Sequence, residues 1–268
     1  MSSPLKLIGG LALGGLGWLV YGTLVEANKI VLEHHRLRLP HWPASRDGFK
    51  IALLADLHIR DKYSVEMCRR AVRMALDTNP DAIVIAGDFV GYWKMASPAL
   101  LGEALDDLRG HFVVAVPGNH DYWSGDATLL EPICAELGIH LLRNASVSQD
   151  GVGWVGIDSA NAYQHDPISA LSSAPKESAL ITVWHEPDMV DELPDGTALM
   201  LSGHSHGGQW QFPWGWTPMH TRNGEKYVSG FFPDARTPLF VSRGIGTTGP
   251  PARLGALAEV SILELVHG

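Results

Sequence analysis

The chain opens on an apolar run and then changes rhythm twice. From Leu7 to Val25 the stretch LIGGLALGGLGWLVYGTLV carries no charge. At about 1.5 Å per residue, a helix of that length nearly crosses a ~30 Å hydrocarbon layer. Residues 1–28 are therefore expected to be an N-terminal membrane anchor or signal segment, read first as an anchor with one N-terminal transmembrane helix over this run. The rival is a cleaved signal peptide, since Lys6 gives a positive start and Ala27 follows Val25 and Glu26 as a small residue before a cut. Gly10 and Gly14 have the small-xxx-small spacing that lets two helices approach, so a helix-mediated homo-oligomer belongs to the same expectation. Lys6 on one flank and Lys29, Arg36 and Arg38 on the other leave the side of the membrane open. After a polar connector punctuated by Pro40 and Pro43, strand-length apolar runs (50–55, 82–86, 112–116) alternate with helical periodicity (64–78, 98–108, 126–137), the rhythm of βαβ units. The second half reads as strands and turns, with strands expected at 154–157, 180–184, 198–202, 239–242 and 260–265. Two packed sheets with outer helices accommodate both halves. With no repeat or linker after Arg46, residues 29–268 are expected to be one domain.

Composition narrows the function. Of the 268 residues, 46% are hydrophobic and 18% charged, which excludes extended disorder. A formal charge of −9 repels a phosphate backbone, so generic nucleic-acid binding is disfavoured. Cys68 and Cys134 have neither metal-ligand spacing nor a disulfide framework. The 13 histidines stand out, because imidazole is the commonest metal ligand.

Each strong strand ends in residues that a structural strand does not require. Asp56-Leu57-His58 follows the first, Gly87-Asp88 the second, and Gly118-Asn119-His120-Asp121 the third; His185 and Gly203-His204-Ser205-His206 close two later ones. Ligands collect at the carboxyl ends of strands in open α/β sheets, so these five segments are expected to converge. If the backbone stays extended, Asp56 and His58 share a face and reach one ion, as do His204 and His206. Any single segment reads equally well as a helix cap, a turn or a buried histidine. Five together predict a metal site. Mixed imidazole and oxygen donors without thiolate suit Mn, Fe or Zn better than Ca or Mg, and the donor set leaves the choice among those three open.

In that order, DxH, GD, GNHD, a lone His and GHSH resemble the calcineurin-like metallophosphoesterase family, from about Lys50 to the C-terminus. GHSHGGQ at 203–209 and SRGIGTTGPPARLG at 242–255 are similar to its small bacterial branch, which includes membrane-anchored phosphodiesterases and UDP-2,3-diacylglucosamine pyrophosphatases. The resemblance implies a four-layer αββα sandwich and two divalent metal ions. By it, Asp56, His58 and His206 bind one ion, Asn119, His185 and His204 the other, and Asp88 bridges both. Two cations ~3.5–4 Å apart would hold a bridging hydroxide for in-line attack on a phosphodiester or pyrophosphate. His120 would assist the leaving oxygen. A lipid-linked substrate and a membrane-associated location follow from the branch and the apolar run.

One departure matters. Many members read GDxxD, whose second Asp orients the histidine, whereas here Gly91 stands in that place. Asp121, Asp158 or a substrate group is left to orient His120, and an activated leaving group would need less acid assistance. Arg243, after a predicted strand, is a candidate for a substrate phosphate, with a structural ion pair as the alternative. The aromatic stretch from Trp210 to Trp216 reads either as a wall or membrane contact or as a hairpin packed in the core. Trp93 and Trp123 follow ligand segments and are candidates to shape the pocket. A nuclease-type phosphodiesterase is the enzymatic alternative, and a catalytically weak, membrane-anchored metal-binding scaffold is the non-enzymatic one.

Overall fold

The computed structural model describes residues 15, 17–175, 179–212, 214, 216–249 and 251–268. Much of the expected transmembrane helix, residues 7–14 and 16 with Gly10 and Gly14 among them, lies outside the described residues. Among the described residues no helix is long and apolar enough to cross a membrane, so the transmembrane expectation finds no support there. Helical residues 17–24 rest on the domain at Gly22, whose carbonyl accepts from the Arg253 N–H at 3.2 Å, while Trp18, Leu19, Tyr21 and Leu24 stay exposed.

Among the described residues, twelve strands form two six-stranded sheets. The first contains β1 (Ile30–Leu39), β2 (Phe49–Leu54), β3 (Ala82–Ala86), β4 (Val113–Val116), β5 (Ile139–Leu141) and, at the far end of the chain, β12 (Ala258–His267). The second contains β6 (Ala145–Gln149), β7 (Val152–Ile157), β8 (Ala179–Trp184), β9 (Leu199–Ser202), β10 (Gly230–Phe232) and β11 (Leu239–Val241). The first runs β1-β12-β2-β3-β4-β5, parallel except where β12 meets β2; the second runs β10-β11-β9-β8-β7-β6, with a parallel centre and antiparallel edges.

Side-chain alternation along these strands builds the layers. Ile51, Leu53, Val84 and Val114 of the first sheet meet Trp154, Ile181, Val183 and Leu201 of the second in a core between the sheets. The opposite face of the first sheet, including Leu54, Ile85 and Ala115, packs against helices α1 (Lys62–Leu76), α2 (Ser97–Leu105) and α4 (Leu130–Leu137). Helix α1 starts in a capping box, with the Asp61 side chain accepting from the Ser64 N–H at 2.8 Å. On the outer face of the second sheet, Val155, Ile157 and Met200 pack with Ala170 of α5 (Pro167–Ser172) and with Met189 and Val190. The result is a mixed α/β sandwich of helix, sheet, sheet and helical layers.

Most expected strands and helices lie within a few residues of their predicted places; β1, β5, β6, β10 and α5 were not predicted. Strand β1 hides because it mixes polar and apolar residues, with Glu33, Arg36 and Arg38 on it, a pattern that reads as a polar connector.

Candidate metal centre

Five strand ends meet where the carboxyl edges of the two sheets adjoin. From the first sheet come Asp56 and His58 beyond β2, Asp88 beyond β3, and Asn119 and His120 beyond β4. From the second come His185 beyond β8, and His204 and His206 beyond β9. His120 and Trp123 bound a single-turn helix, α3 (His120–Trp123). All of these but Trp123 are buried.

The expected local geometry needs correction. Asp56, His58, Asp88, His204 and His206 are not extended; all five have positive φ, between 46° and 70°. Each strand has ended before its ligand residue, and the chain turns through the left-handed region that non-glycine residues seldom enter. One consequence is that neighbours in sequence part company: His206 joins Asp56 and His58, whereas His204 joins Asp88 and His185. Glycine makes room for the turns. A Cβ at Gly118 would run into the Asp88 carboxylate, and one at Gly87 (φ +86°) would lie 2.5 Å from His185 Nδ1.

Three overlapping groups of potential ligand atoms result: Asp56, His58 and His206; His58, Asp88 and His120; and Asp88, His185 and His204. His58 Nε2 lies 3.1 Å from His206 Nε2 and 3.6 Å from Asp88 Oδ2. His185 Nε2 lies 3.3 Å from the same Asp88 oxygen and 3.2 Å from His204 Nδ1. Nitrogens about 2.1 Å from one ion stand roughly 3.0–3.4 Å apart, so this crowding is what shared coordination requires. The Asn119 Oδ1 atom is buried with no hydrogen-bond partner, a donor that a cation would satisfy. On these observations the residues fit a divalent metal centre.

The atoms behind the ligands fix their orientation. His185 Nδ1 donates to the Ala86 carbonyl at 2.7 Å, and His204 Nε2 donates to the Arg222 carbonyl at 2.8 Å, leaving Nε2 and Nδ1 respectively as the lone pairs. The His204 N–H reaches both Asp56 oxygens at 3.0 and 3.1 Å, and the His120 N–H reaches Asp88 Oδ1 at 2.9 Å. Burial lowers His58 to about 3 and, with neighbouring imidazoles, also lowers His204 and His206, keeping all three neutral as ligation requires. Burial, aided by the nearby Asp88 charge, pushes Asp56 up to about 7. Burial would raise Asp88 too, but His185, His120 and His58 outweigh it and hold that carboxylate well below its ordinary value. His185 goes the other way: Asp88 and other carboxylates overcome burial and raise it.

Neither candidate carboxylate orients His120. Asp121 accepts from the backbone N–H groups of Phe89, Val90 and Gly118, clamping two loops together. Asp158 is held by Tyr122 and Arg143. Instead, His120 Nδ1 lies 2.9 Å from the carbonyl of Gly91, the residue standing where the family pattern has its second Asp. Trp123 packs on the His120 ring with centroids 3.8 Å apart, 69% exposed at the mouth. Trp93 lies deeper, its indole N–H bonded to the Asp121 carbonyl at 2.7 Å.

A cavity of about 370 Å³ opens on the centre, lined by Asp88, Asn119, His120, His204 and His206 together with Asn161 and Arg222. Asn161 was missed, although the signal was available: Asp158-Ser159-Ala160-Asn161 follows β7 as a sixth polar strand end. Glu186 supports that loop, accepting from the Ala160 and Asn161 N–H groups at 3.1 Å. Arg222 acts through its carbonyl, which no side-chain pattern reveals. Arg243 is not brought to the cavity. It ion-pairs with Glu33 and, at 2.6 Å, with Glu259. Its first partner sits on β1, the strand whose pattern concealed it.

Comparison with known proteins decides the family. The model of the calcineurin-like phosphoesterase family matches residues 49–227, more than half of the chain. The chain belongs to the calcineurin-like phosphoesterase family. Members of this metallophosphoesterase family use divalent metals, and the chain is a hydrolase acting on phosphoester bonds. It is 27% identical to the uncharacterized metallophosphoesterase YkuE of Bacillus subtilis, over 97% of this chain and 94% of that protein. It is 28% identical to the phosphodiesterase YaeI of Escherichia coli, over 94% and 93% respectively. To the UDP-2,3-diacylglucosamine pyrophosphatase LpxG of Chlamydia muridarum it is 25% identical, over 92% of each chain.

Proposed function

We propose that the protein hydrolyses a phosphodiester or pyrophosphate bond in a lipid-linked substrate, using two divalent cations, manganese foremost, at a membrane to which its N-terminal apolar segment holds it. The observation that carries this reading is the pair of ligand groups Asp56–His58–His206 and Asp88–His185–His204, adjoining at the 3.6 Å approach of His58 to Asp88. Asp56, His58 and His206 would hold one cation, Asn119, His185 and His204 the other, with Asp88 shared. When bound, such a pair activates water at neutral pH and offsets charge developing on the phosphoryl oxygens. Similarity to a named phosphodiesterase and a named lipid-sugar pyrophosphatase supports the substrate class.

The protein's own groups supply positioning. With Nδ1 held by the Gly91 carbonyl, His120 presents Nε2, which in the imidazolium form donates a proton to the departing oxygen. Trp123 restricts the ring from one side and His58 meets it edge-on, with centroids 4.6 Å apart. Asn161 and Arg222 line the same cavity, where they could meet a substrate's second substituent.

The test begins with chelated protein, an activated aryl phosphodiester and the corresponding monoester. Adding manganese should restore diester hydrolysis, and Asp88→Asn should lower it by about 10³-fold or more, as expected when a ligand shared by both ions is weakened. Stoichiometric metal binding without turnover of any diester or pyrophosphate would overturn the hydrolase reading.

A further inference from the structure

We propose that the aromatic side chains of Phe212, Trp214 and Trp216 and the exposed face of helical residues 17–24 form one docking surface for the headgroup–acyl boundary of a phospholipid bilayer. This deepens the membrane reading above and rests on it: the aromatic cluster is an interfacial contact separate from the N-terminal apolar run.

Two segments almost 200 residues apart converge here. Trp18 stacks on Phe212 with centroids 6.0 Å apart and planes at 28°. Phe212 in turn meets Trp214 at 5.4 Å and Trp216 at 5.3 Å, and its N–H bonds to the Trp216 carbonyl at 2.9 Å. A core hairpin would bury these rings. Instead Trp214 is 73%, Trp216 54% and Trp18 49% exposed.

The chemistry of the patch favours lipid over a protein partner. Residues 17–25 and 209–217 contain no charged side chain, so nothing in either segment repels or pairs with a headgroup. Tryptophan is the residue enriched at membrane interfaces, where its apolar body and polar N–H meet both phases. The uncharged run from Leu7 leads directly into Trp18, so the patch lies where the proposed anchor enters the folded domain.

The surface is also tied to the rim of the active-site cavity. The Glu26 carboxylate accepts from the Gly255 N–H at 2.6 Å, and Trp210 bridges to Leu254 and Gly255. The side chain of Gln209, beside Trp210, accepts from the Thr248 N–H at 3.0 Å and donates to the Thr248 carbonyl at 2.8 Å. Thr248 lines the cavity that holds Asp88 and His120. A bilayer against this surface would therefore present a lipid-borne phosphoester near the cavity mouth.

The experiment uses the full chain reconstituted into phosphatidylcholine vesicles with and without brominated acyl chains, reading tryptophan fluorescence. Brominated lipid should quench the wild type, and a W214S/W216S variant should lose roughly half of that quenching while remaining vesicle-bound. The variant should hydrolyse a soluble aryl diester at the wild-type rate, showing an intact fold, but a vesicle-borne phosphodiester several-fold more slowly. Equal quenching in wild type and variant, or none in either, overturns the docking surface. Absence of diester hydrolysis alongside the expected quenching difference would instead overturn the enzymatic reading and leave the docking surface standing.

Discussion

The two sheets bring different chemistry to the centre. The first contributes two carboxylates, an amide and two imidazoles, whereas the second contributes imidazoles alone: His185, His204 and His206. Of the three candidate groups among the described residues, His58, Asp88 and His120 come from the first sheet and the other two cross the seam. Asp56 and His58 need His206 from across the seam, and Asp88 needs His185 and His204. His185, raised by the surrounding carboxylates, faces Asp88 at 3.3 Å and helps it keep its charge, while burial and the neighbouring Asp88 charge raise Asp56 to about 7. The difference teaches that the centre belongs to the packing of the sheets against each other. The core containing Trp154, Ile181 and Val84 packs between the sheets whose ends carry the two halves of the site.

Breaking the seam chemically should have the largest effect on stability. If two cations bind as proposed, they would stabilise the folded state by about 2.7 kcal/mol per site at a hundredfold excess over Kd, hence about 5 kcal/mol together. At roughly 2–4 °C per kcal/mol for a chain of this size, chelation should lower Tm by about 10–20 °C. His185→Gln should abolish about half of that difference, because it removes a second-sheet donor facing Asp88 from one of the two sites. A Tm indifferent to chelator in a protein shown beforehand to contain metal would mean that the sheets are held without the ions.

A smaller loss should follow from cutting a tie within the first sheet. Asp121 joins the loop after β3 to the loop after β4 through three backbone N–H groups, one of them, from Gly118, at 2.9 Å. Asp121→Ala leaves those donors buried and unpaired, at about 1–3 kcal/mol for each one that water cannot reach. A net cost of about 3 kcal/mol, read as denaturant midpoint at constant m-value, is expected. Asp121→Asn, which keeps an acceptor oxygen, should recover part of it. Equal losses in the two variants would assign the effect to packing volume.

The contrast between the sheets also explains what was legible from sequence. The central strands of both are continuous apolar runs, and polar residues at their carboxyl ends are conspicuous against them, so Asp56, Asp88, Asn119, His185 and His204 stood out. The edges were less readable: β1 mixes charged and apolar residues, and the three residues of β10 fall below any useful window. Missing β1 concealed Glu33 and so left Arg243 as a substrate candidate. The left-handed turns at Asp56 and His58 were hidden for another reason. Positive φ at non-glycine positions is imposed by tertiary contacts, such as the Asp56 N–H held by the Gly87 carbonyl at 3.0 Å, and has no local signature.

The subtlest test lies at Gly91, where the first sheet supplies a carbonyl in place of a carboxylate. A Cβ there meets nothing closer than the His58 carbonyl at 3.8 Å and the Arg60 Cδ at 3.9 Å, ordinary contact distances, so the site accepts a side chain. In Gly91→Asp, a carboxylate beside His120 would favour the imidazolium form through its charge, where a neutral carbonyl now stands. A better-populated acid helps most where the departing oxygen is basic. The variant should therefore raise hydrolysis of an alkyl phosphodiester by about three- to tenfold while leaving an activated aryl diester nearly unchanged. Measuring both substrates with one enzyme preparation isolates this ratio from differences in metal loading or folded fraction, which scale the two rates together. A parallel fall in both would mean that the new side chain has displaced the loop. An unchanged ratio at full activity would mean that proton delivery from His120 does not limit either reaction.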